Sequence, residues 1–500
     1  MELQQEYDYV IVGGGTAGSV VAARLAEQPD ITVCLIEAGP TDEDKPEILA
    51  VKNWPNLLGT KFDYDYTIEQ QARGNSRIRH SRGRVLGGCS SHNSCIAFRA
   101  PDYDMDMWEQ SGCEGWGARE TSRYFAKVFE RVSIEKHPAI NPLSRAFLEA
   151  ARQAGFDLVH FNQDGVLREG AGIFELNAYN GLRQSSSQAY LHPTRKSAKN
   201  LTVLTDTCVH RIVLDESNTA YAVETATSII HATREIVLSC GTFDTPKLLL
   251  LSGIGPRQQL QTPGIPVKVE LAGVGEHLID HPEGVIYWEA KRPVPEETTQ
   301  YWEVGLFSKI FPASPLPDLM FHFGVVPFDW NTVPLGYPTA QYGFSMTPNV
   351  PRPKSEGVVR LRSKNPADAP VIDFRYFTDP EGYDEVILLA GMKLARKIAE
   401  QPALKRWIRR ELAPGIAVQN DQELSEYARY SANTVYHPAG TCKMGDSRDP
   451  STVVDAQLRV KGVRHLRVAD ASIFPAMISI NPCITCMMIG EKCADLLKNV

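Results

Sequence analysis

A glycine-rich turn that joins a buried strand to a helix is the feature that most limits how this chain can fold. Residues 7–12 form a short apolar run rich in β-formers, which is typical of a strand buried on both faces of a parallel sheet. Residues 13–18 satisfy the GxGxxG spacing, and residues 19–26 predict a helix with small residues facing the sheet. Gly13 permits the tight turn, Gly15 lets backbone approach a pyrophosphate, and Gly18 lets helix and strand pack closely.

An acidic residue, Glu37, closes the second predicted strand at residues 31–36. At that place a carboxylate can accept hydrogen bonds from an adenosine ribose. A GxGxxG by itself is weak evidence and is also compatible with a glycine-rich surface turn. The order strand, turn, helix, strand and terminal acid favours a dinucleotide site, with the phosphates at the N-terminus of the helix.

The length and charge of the chain exclude several classes of protein. With 500 residues, two or three domains are expected. A net charge of −8 and the lack of a long Lys/Arg run argue against a nucleic acid or an anionic membrane as partner. The N-terminal sequence MELQQEYDY has no basic or apolar region of a signal peptide, and no apolar run reaches membrane-spanning length. We therefore expect a cytoplasmic protein.

The cysteine pattern favours reduced thiols without a metal. The ten cysteines are unevenly spaced, unlike a disulfide framework. Cys483-x-x-Cys486, with Cys493 downstream, suggests a metal site, but no second CxxC or CxxH pair completes four ligands. We interpret these cysteines as small core residues at the start of a buried helix.

The rest of the chain predicts two kinds of structure. Strands at 201–204, 209–214, 235–238 and 466–469 would rejoin the first sheet, and an apolar helix would begin at Pro246 and end at Gly253 and Gly255. Short apolar runs between Pro/Gly breaks predict antiparallel strands at 285–289, 318–323, 343–347 and 357–361. Further helices are predicted at 143–154, 380–401, 421–431 and 484–497.

Three stretches carry the candidate chemistry. Residues 77–94 are basic and glycine-punctuated, so their backbone could lie against a flat cofactor or a diphosphate, with Arg82 or Arg84 on phosphate oxygens. His437 and Asn481 each precede a proline, which holds a side chain in a fixed place. A histidine can remove or stabilise a hydroxyl proton, and an asparagine can hydrogen-bond the same oxygen. A structural loop histidine is the alternative.

Five long motifs resemble the glucose-methanol-choline family of flavoprotein oxidoreductases, over essentially the whole chain. They are the N-terminal fingerprint, RVLGGCSSHNS, GTFDTPKLLLLSGIGP, YHPAGTCKMG and VADASIFPAMISINPCITCMMIGE. The resemblance implies an α/β fold with a Rossmann-like FAD-binding domain and an α+β second domain built on an antiparallel sheet. We expect both to be discontinuous, with residues 1–155, 200–283 and 460–500 binding FAD and residues 156–199 and 284–459 binding substrate.

Within the family, SSHNSCIAF, GVGEHLIDHPEGV, FTDPEGYDE and NTVYHPAGT are most similar to members that oxidise choline. By that resemblance His92 is joined covalently to the 8α position of the flavin, and Ser94 lies near its reactive nitrogen. His437 and Asn481 form the catalytic pair, and His322 hydrogen-bonds the substrate oxygen. The substrate's trimethylammonium group would contact Trp54, Trp302, Tyr436 and Glu283. The remaining cofactor contacts would be Gly13, Gly15, Thr16, Ala17, Gly18, Glu37, Gly88, Asn93, Asp470, Ala471 and Pro482, with no metal.

The predicted cage makes physical sense by itself. A quaternary ammonium group has no proton to donate, so a protein can recognise it only by charge and by aromatic faces. Two tryptophans, a tyrosine and a carboxylate supply both. The alternative is that each aromatic side chain only packs the core.

The activity implied by the resemblance is FAD-dependent oxidation of the primary alcohol of choline, and of betaine aldehyde hydrate to glycine betaine. Hydride would pass to flavin N5, and dioxygen would be reduced to hydrogen peroxide. The assembly expected is a homodimer. Three alternatives remain at this stage. They are an oxidase or dehydrogenase of the same family for an uncharged primary alcohol, a quaternary-ammonium sensor that holds flavin without turnover, and a nicotinamide-dependent dehydrogenase, which the motifs of the second domain do not suggest.

The chain departs from the family pattern after Phe129. Similar chains carry a longer segment there with an HGxxGP-type loop, whereas this chain runs through residues 130–137 almost directly into the helix near Leu143. We expect this deletion to affect how the active site is covered or how subunits meet.

Overall fold

Two large sheets organise the chain. The computed structural model describes residues 5–137, 140–162 and 164–498. Residues 1–4 belong to the N-terminal segment in which we found no signal peptide, and they lie outside the described residues. In the described part, no helix combines the length and the apolarity needed to cross a bilayer. All ten cysteines are free thiols.

The strands, in chain order, are β1 Glu6–Val12, β2 Val33–Ile36, β3 Tyr66–Thr67, β4 Arg79–His80, β5 Gly170–Ile173, β6 Ala178–Tyr179, β7 Leu182–Arg183, β8 Leu201–Leu204, β9 Val209–Leu214, β10 Ala220–Thr225, β11 Ile229–Leu238, β12 Ile254–Gly255, β13 Val269–Glu270, β14 Pro282–Glu283, β15 Ile286–Ala290, β16 Val304–Ser308, β17 Leu319–Gly324, β18 Gly343–Asn349, β19 Val358–Arg360, β20 Val371–Asp373, β21 Ile408–Ala413, β22 Asn433–Thr434 and β23 Leu466–Val468.

The α-helices are α1 Gly18–Ala26, α2 Pro46–Leu49, α3 Asp102–Gln110, α4 Ala118–Arg131, α5 Pro142–Gln153, α6 His192–Arg195, α7 Gly241–Leu251, α8 Arg257–Gln261, α9 Tyr383–Ala399, α10 Pro402–Lys405, α11 Asp421–Tyr430 and α12 Cys483–Lys498. Short 3-10 turns lie at Val51–Leu57, Gly88–Ser91, Val333–Leu335 and Ala471–Ile473, and a π-turn lies at Ser187–Leu191.

The first sheet is the predicted nucleotide-binding sheet. Its order is β8-β2-β1-β11-β10-β9, with β23 beside β11. Strands β8, β2, β1, β11 and β23 run parallel, whereas β9 and β10 join as an antiparallel edge. The glycine turn behaves as predicted: Gly13 has a φ of +99°, and a Cβ at Gly18 would lie 2.0 Å from the Gly13 carbonyl oxygen. Only glycine at position 18 allows α1 to pack this closely on β1.

The second sheet is antiparallel throughout, as the short apolar runs between Pro/Gly breaks predicted. Its order is β21-β15-β18-β17-β16-β5, and the two-residue strand β14 pairs with both β18 and β22. Strand β19, by contrast, pairs only with β20 in a separate ribbon. The fold is therefore the expected α/β arrangement of a Rossmann-type domain and an antiparallel domain.

Two elements depart from the domain division that we predicted. Helix α5 was assigned to the first domain, but the Phe147 ring stacks on Phe323 of β17 in the second sheet, with ring centroids 4.5 Å apart. Strand β14 was also assigned to the first domain and pairs within the second sheet. These contacts join segments that are distant in the chain, which a short stretch of sequence does not predict. The division itself stays a prediction.

Helix α7 begins five residues earlier than predicted, at Gly241, so Pro246 lies inside it. Proline has no N–H to donate to the carbonyl four residues before it. The Thr441 hydroxyl instead donates to that carbonyl, on Thr242, at 2.6 Å. This bond from a distant segment satisfies the carbonyl and lets the helix run through the proline.

Replacement of Thr441 by valine should destabilise the protein. The side chain keeps its shape, but the buried Thr242 carbonyl loses its donor, which costs about 1–3 kcal/mol. Thr441→Ser keeps the hydroxyl and should stay within about 0.5 kcal/mol of the parent apart from the lost methyl group. Thermal unfolding of the parent protein and the two variants will measure the difference. Equal midpoints for the valine and serine variants would contradict this role.

Candidate active site

A deep cavity lies where the two sheets meet and encloses about 2120 Å³, open solvent included. Its lining runs from the glycine turn after β1 to His437 and Asn481, so one cavity joins the predicted nucleotide end to the predicted catalytic pair. Of the site residues predicted from the sequence, all line the cavity except Arg84 and Gly18, and Gly18 packs α1 on β1 instead.

The end of the cavity at β1 and β2 suits a dinucleotide. Gly15 and Gly88 approach each other back to back, and a Cβ at Gly88 would lie 2.7 Å from the Gly15 Cα. The Glu37 carboxylate accepts hydrogen bonds from the backbone N–H groups of Gly14 at 2.9 Å and Gly39 at 2.7 Å. Burial raises the pKa of Glu37 to about 7. These backbone bonds fix the carboxyl group at the wall of the cavity.

His92 presents an unpaired nitrogen in the middle of the cavity. The ring is buried, and its Nε2 has no hydrogen-bond partner among the described residues. The nearest carboxylate oxygen is Asp63 Oδ2, at 3.8 Å. Burial lowers the pKa of His92, so the ring is neutral at pH 7. An orphaned buried nitrogen is rare, and here it fits attachment to a group that fills the cavity.

Arg82, one of the two arginines predicted to contact a phosphate, makes two hydrogen bonds to backbone carbonyls at the cavity. Its Nη2 donates to the Tyr436 carbonyl and its Nε to the Ser81 carbonyl, each at 2.5 Å. The side chain therefore joins the segment of His92 to the segment of His437, and the predicted phosphate contact of Arg82 or Arg84 stays a prediction. The φ of Tyr436 is +64°, in the left-handed region that non-glycine residues rarely adopt, and this backbone places its ring on the cavity wall.

A second histidine fixes the tautomer of His437. His281 Nε2 lies 2.8 Å from the Pro351 carbonyl and 3.0 Å from the Ile478 carbonyl, so it carries the proton and donates. Burial lowers the pKa of His281, which keeps the ring neutral and its Nδ1 an acceptor. His437 Nδ1, 2.9 Å away, is then the donor.

The proton arrangement leaves a base in the cavity. With Nδ1 protonated, His437 Nε2 holds a free lone pair on a ring that lines the cavity. Burial lowers the pKa of His437 well below its usual value, and His281, His322 and Arg82 lower it further. Asn481, on the facing segment, has a buried side-chain oxygen without a partner in the described residues. The pair can receive a substrate hydroxyl.

Asp280 holds the segment that carries His437. Its Oδ1 accepts from the His437 backbone N–H at 2.9 Å, and its Oδ2 accepts from Thr434 at 2.6 Å and Tyr376 at 2.5 Å. Burial alone would raise the pKa of Asp280, but hydrogen bonds, beginning with the one from His80, lower it overall. Asp280 is therefore an ionised anchor behind the base.

Two tryptophans form a wall at the other end of the cavity. The rings of Trp54 and Trp302 lie 5.3 Å apart, and Phe328 packs edge-on against Trp302 at 5.8 Å. Gln300 holds both residues, because its backbone carbonyl accepts from the Trp54 indole Nε1 at 3.1 Å and its side-chain oxygen accepts from the Trp302 backbone N–H at 3.0 Å. His322 lines the same end, and burial lowers its pKa to about 3.

Glu283 is the buried carboxyl group of this aromatic end. Asn433 Nδ2 donates to its Oε1 at 3.0 Å. Burial raises the pKa of Glu283 to about 8, and the hydrogen bonds from Asn433 and Thr347 offset only part of that rise. A carboxylate with aromatic neighbours attracts a cation, and here a cation would also replace the missing charge partner of Glu283.

Sequence reasoning missed Asp280, His281, Gln300 and Phe328. One signal was present: His281 precedes Pro282, which is the pattern that singled out His437. Gln300 and Phe328 lie in loops and carry no such signal.

The interpretation of Cys483 and Cys486 as core residues needs a change, since both line the cavity as well as beginning α12. In the described part of the chain, no three His, Cys, Asp or Glu side chains are grouped so as to hold a metal ion.

Comparison with known proteins gives agreement along the whole chain. The family models of GMC (glucose-methanol-choline) oxidoreductase match residues 7–283 and 353–490. Choline oxidase of Arthrobacter globiformis is 47% identical over 518 residues, covering 99% of this chain and 95% of the relative. Human mitochondrial choline dehydrogenase is 35% identical, covering 99% and 90%. The crystal structure of pyridoxine 4-oxidase from Mesorbium loti superposes with a TM-score of 0.90 at 31% identity, covering 99% of each chain.

Binding of a quaternary ammonium ion should release a proton from Glu283. Since the pKa of the free carboxyl group is about 8, it is mostly protonated at pH 7, and a bound cation favours the ionised form. The affinity for tetramethylammonium should therefore rise about tenfold from pH 6 to pH 7 and level off above about pH 9. Calorimetric titration of the holoprotein in buffers of different ionisation enthalpy will measure affinity and proton release.

Glu283→Gln is the matched control, because it keeps the shape of the side chain and removes its titration. This variant should bind the cation weakly. Its affinity should not change between pH 6 and pH 9, because the titrating carboxyl group is absent. Binding to the parent protein without proton release at pH 7 would contradict the argument.

Proposed function

Because the chain belongs to the GMC oxidoreductase family, we propose that it is an FAD-dependent oxidase of choline. It oxidises the primary alcohol to betaine aldehyde and the hydrate of that aldehyde to glycine betaine, with dioxygen reduced to hydrogen peroxide. The observation that carries the choice of substrate is the buried carboxyl group of Glu283 beside the Trp54–Trp302 wall, in the same cavity as His437.

The residues at the β1 end fit FAD. The backbones of Gly13, Gly15 and Gly88 leave room for a diphosphate, and Glu37 would receive the ribose. Asp470 caps the turn that follows β23 by accepting from the Ser472 N–H at 2.8 Å, which directs that turn at the cavity. When bound, FAD supplies the chemistry of the reaction, since it accepts a hydride from the alcohol carbon and returns the electrons to dioxygen.

The protein's own task is to hold and deprotonate the alcohol. His437 Nε2 is the acceptor for the hydroxyl proton, since His281 occupies its Nδ1. The Asn481 amide and His322 line the same cavity and would hydrogen-bond the same oxygen as negative charge develops on it. Asp280 keeps His437 in place through the backbone and does not compete for the proton.

The cage sets the orientation of the substrate. The trimethylammonium group faces Trp54, Trp302, Tyr436 and Glu283, and the short choline chain then brings the hydroxyl toward His437. The aldehyde hydrate keeps the cation of choline and carries a hydroxyl on the same carbon as choline does, so the same residues serve the second oxidation. Ser94 lies on the cavity wall next to the segment of His92, where it can hydrogen-bond the cofactor.

Two alternatives remain distinguishable. An oxidase for an uncharged primary alcohol would not need a buried carboxyl group at the aromatic end. A sensor that holds flavin without turnover would not need a histidine whose tautomer is fixed by His281.

We further propose a cytoplasmic location, which the ten free thiols support. A homodimer remains the assembly expected from the resemblance, and sedimentation will check it.

Covalent attachment of FAD through His92 is the part of the proposal that the unpaired Nε2 supports. Acid precipitation of the purified protein should leave the yellow colour with the pellet. His92→Asn should bind FAD reversibly and release it on precipitation, because the asparagine keeps a polar side chain but lacks the nucleophilic nitrogen. A colourless pellet from the parent protein would reject the attachment and leave the rest of the proposal standing.

The experiment that tests the function compares choline with 3,3-dimethyl-1-butanol, which has nearly the same shape and no charge. Attraction to Glu283 is at most about 4 kcal/mol at 4 Å in an effective dielectric of 20, and aromatic faces add about 0.5–2 kcal/mol. Desolvation offsets part of this, which leaves about 2–4 kcal/mol, or about tenfold to a thousandfold in kcat/KM. Peroxide release should be measured at pH 9, where Glu283 is ionised.

Glu283→Gln supplies the control for this comparison. It should remove most of the preference by weakening choline and leave the neutral alcohol nearly unchanged. If the parent protein treats the two alcohols alike, or if the variant weakens both equally, the neutral-alcohol oxidase becomes the better assignment. Absence of peroxide with either alcohol would favour the sensor.

A further inference from the structure

A buried carboxylate outside the cavity holds the segment that carries Asn481. Asp104, on α3, accepts from the Ser479 backbone N–H at 2.7 Å and from the Ser479 hydroxyl at 3.0 Å. Both residues are buried, and Ser479 lies two residues before Asn481. None of these contacts belongs to the proton path described above, so the carboxylate calls for another explanation.

Arg352 completes the arrangement from the opposite side. Its Nη1 donates to the Ser479 hydroxyl at 2.8 Å, so this hydroxyl accepts from Arg352 while it donates to Asp104. Nη2 of Arg352 is in turn held by Ser314 at 2.9 Å and the Leu316 carbonyl at 3.2 Å. The guanidinium group is therefore fixed by neutral acceptors, with Asp104 as the carboxylate that it faces.

The two residues that precede this contact are the acceptors of His281. Pro351 comes directly before Arg352, and Ile478 directly before Ser479. The carbonyls of Pro351 and Ile478 together receive the proton of His281 Nε2, at 2.8 and 3.0 Å. The distance between these carbonyls, and hence their ability to share one N–H, depends on how Arg352 is joined to Ser479.

We propose that Asp104, Ser479 and Arg352 form a clamp that positions both halves of the catalytic pair. Through Ser479 the clamp sets the place of Asn481. Through the carbonyls of Pro351 and Ile478 it fixes the tautomer of His281, and so leaves the lone pair of His437 Nε2 free. The three clamp residues are positioning residues, and their catalytic consequence rests on the function proposed above.

The clamp should weaken in acid. Burial raises the pKa of Asp104 to about 6, although the Ser479 N–H, Arg352 and the Ser479 hydroxyl each act to lower it. Arg352 is the charged group that faces Asp104, since Ser479 is neutral. A protonated Asp104 offers one oxygen fewer to Ser479 and no longer attracts Arg352. The clamp is thus complete above pH 6 and loosens below it.

Ser479→Ala is the first test, on the flavin-loaded protein with choline. Loss of the hydroxyl removes the bridge between Arg352 and Asp104. The resulting displacement of the Ser479 segment near the reacting groups should lower kcat about tenfold to a hundredfold. The KM for choline should stay within about threefold, because Trp54, Trp302 and Glu283 lie on other segments. Ser425→Ala is the matched control, since Ser425 also donates its hydroxyl to a carboxylate, that of Glu385, away from the cavity.

The pH profile separates positioning from general damage. The kcat of the parent protein should fall below about pH 6, whereas Asp104→Asn should show a lower kcat without that acid limb. Asp104→Asn also covers the case in which Ser479→Ala does not fold. A kcat within twofold of the parent in either variant, or an acid limb that persists in Asp104→Asn, would overturn the clamp.

A measurement without substrate distinguishes this inference from the proposed function. Nitrogen-15 spectra of histidine-labelled protein report which ring nitrogen is protonated. Ser479→Ala should change the His281 and His437 signals, and Ser425→Ala should not. If the parent protein fails to oxidise choline but these signals change, the function is wrong and the clamp stands. Unchanged signals in Ser479→Ala would refute the clamp whatever the substrate.

Discussion

The pairing of two short strands brings the chemistry of this protein together. In β14 and β22, Pro282 pairs with Thr434 and Glu283 with Asn433. The antiparallel contact continues outward, because the Val435 N–H donates to the His281 carbonyl at 3.0 Å and Ile279 bridges to Ala439. As a result His281 lies opposite His437, and Glu283 lies beside Asn433. One register therefore places the proposed base, the residue that sets its tautomer, and the carboxyl group of the proposed cage.

Burial makes this site nearly neutral until a charged ligand arrives. It lowers the pKa of His437 and His322 and raises that of Glu283, so each favours its uncharged form near pH 7. Asp280 is the exception, because several donors offset its burial. A cation at the cage would change this balance, since it stabilises the ionised form of Glu283. Affinity for the cation and the ionisation of Glu283 are thus one equilibrium, which gives binding its dependence on pH.

Local sequence predicted the parts of the structure that local chemistry determines. The glycine turn, the parallel strands around it and the antiparallel strands of the second sheet were confirmed because each is predicted by the pattern within a short stretch. The start of α7 was wrong because the bond that satisfies Thr242 comes from Thr441, far along the chain. Gln300 and Asp104 could not be found for the same reason, since their importance lies in contacts between distant segments. His281 could have been predicted from the sequence, because it precedes a proline as His437 does.

The departure from the family pattern after Phe129 falls on a segment that reaches the cage wall. The short connection from α4 ends at Asn141, whose Nδ2 donates to the carbonyls of Pro295 at 2.8 Å and Glu297 at 2.9 Å. The Asn141 N–H also donates to Glu303 at 3.1 Å, next to Trp302. The loop that carries Trp302 is therefore fastened to the start of α5. A change in the length of this connection would therefore act on the loop that carries Trp302 before it acts on the segment of His437.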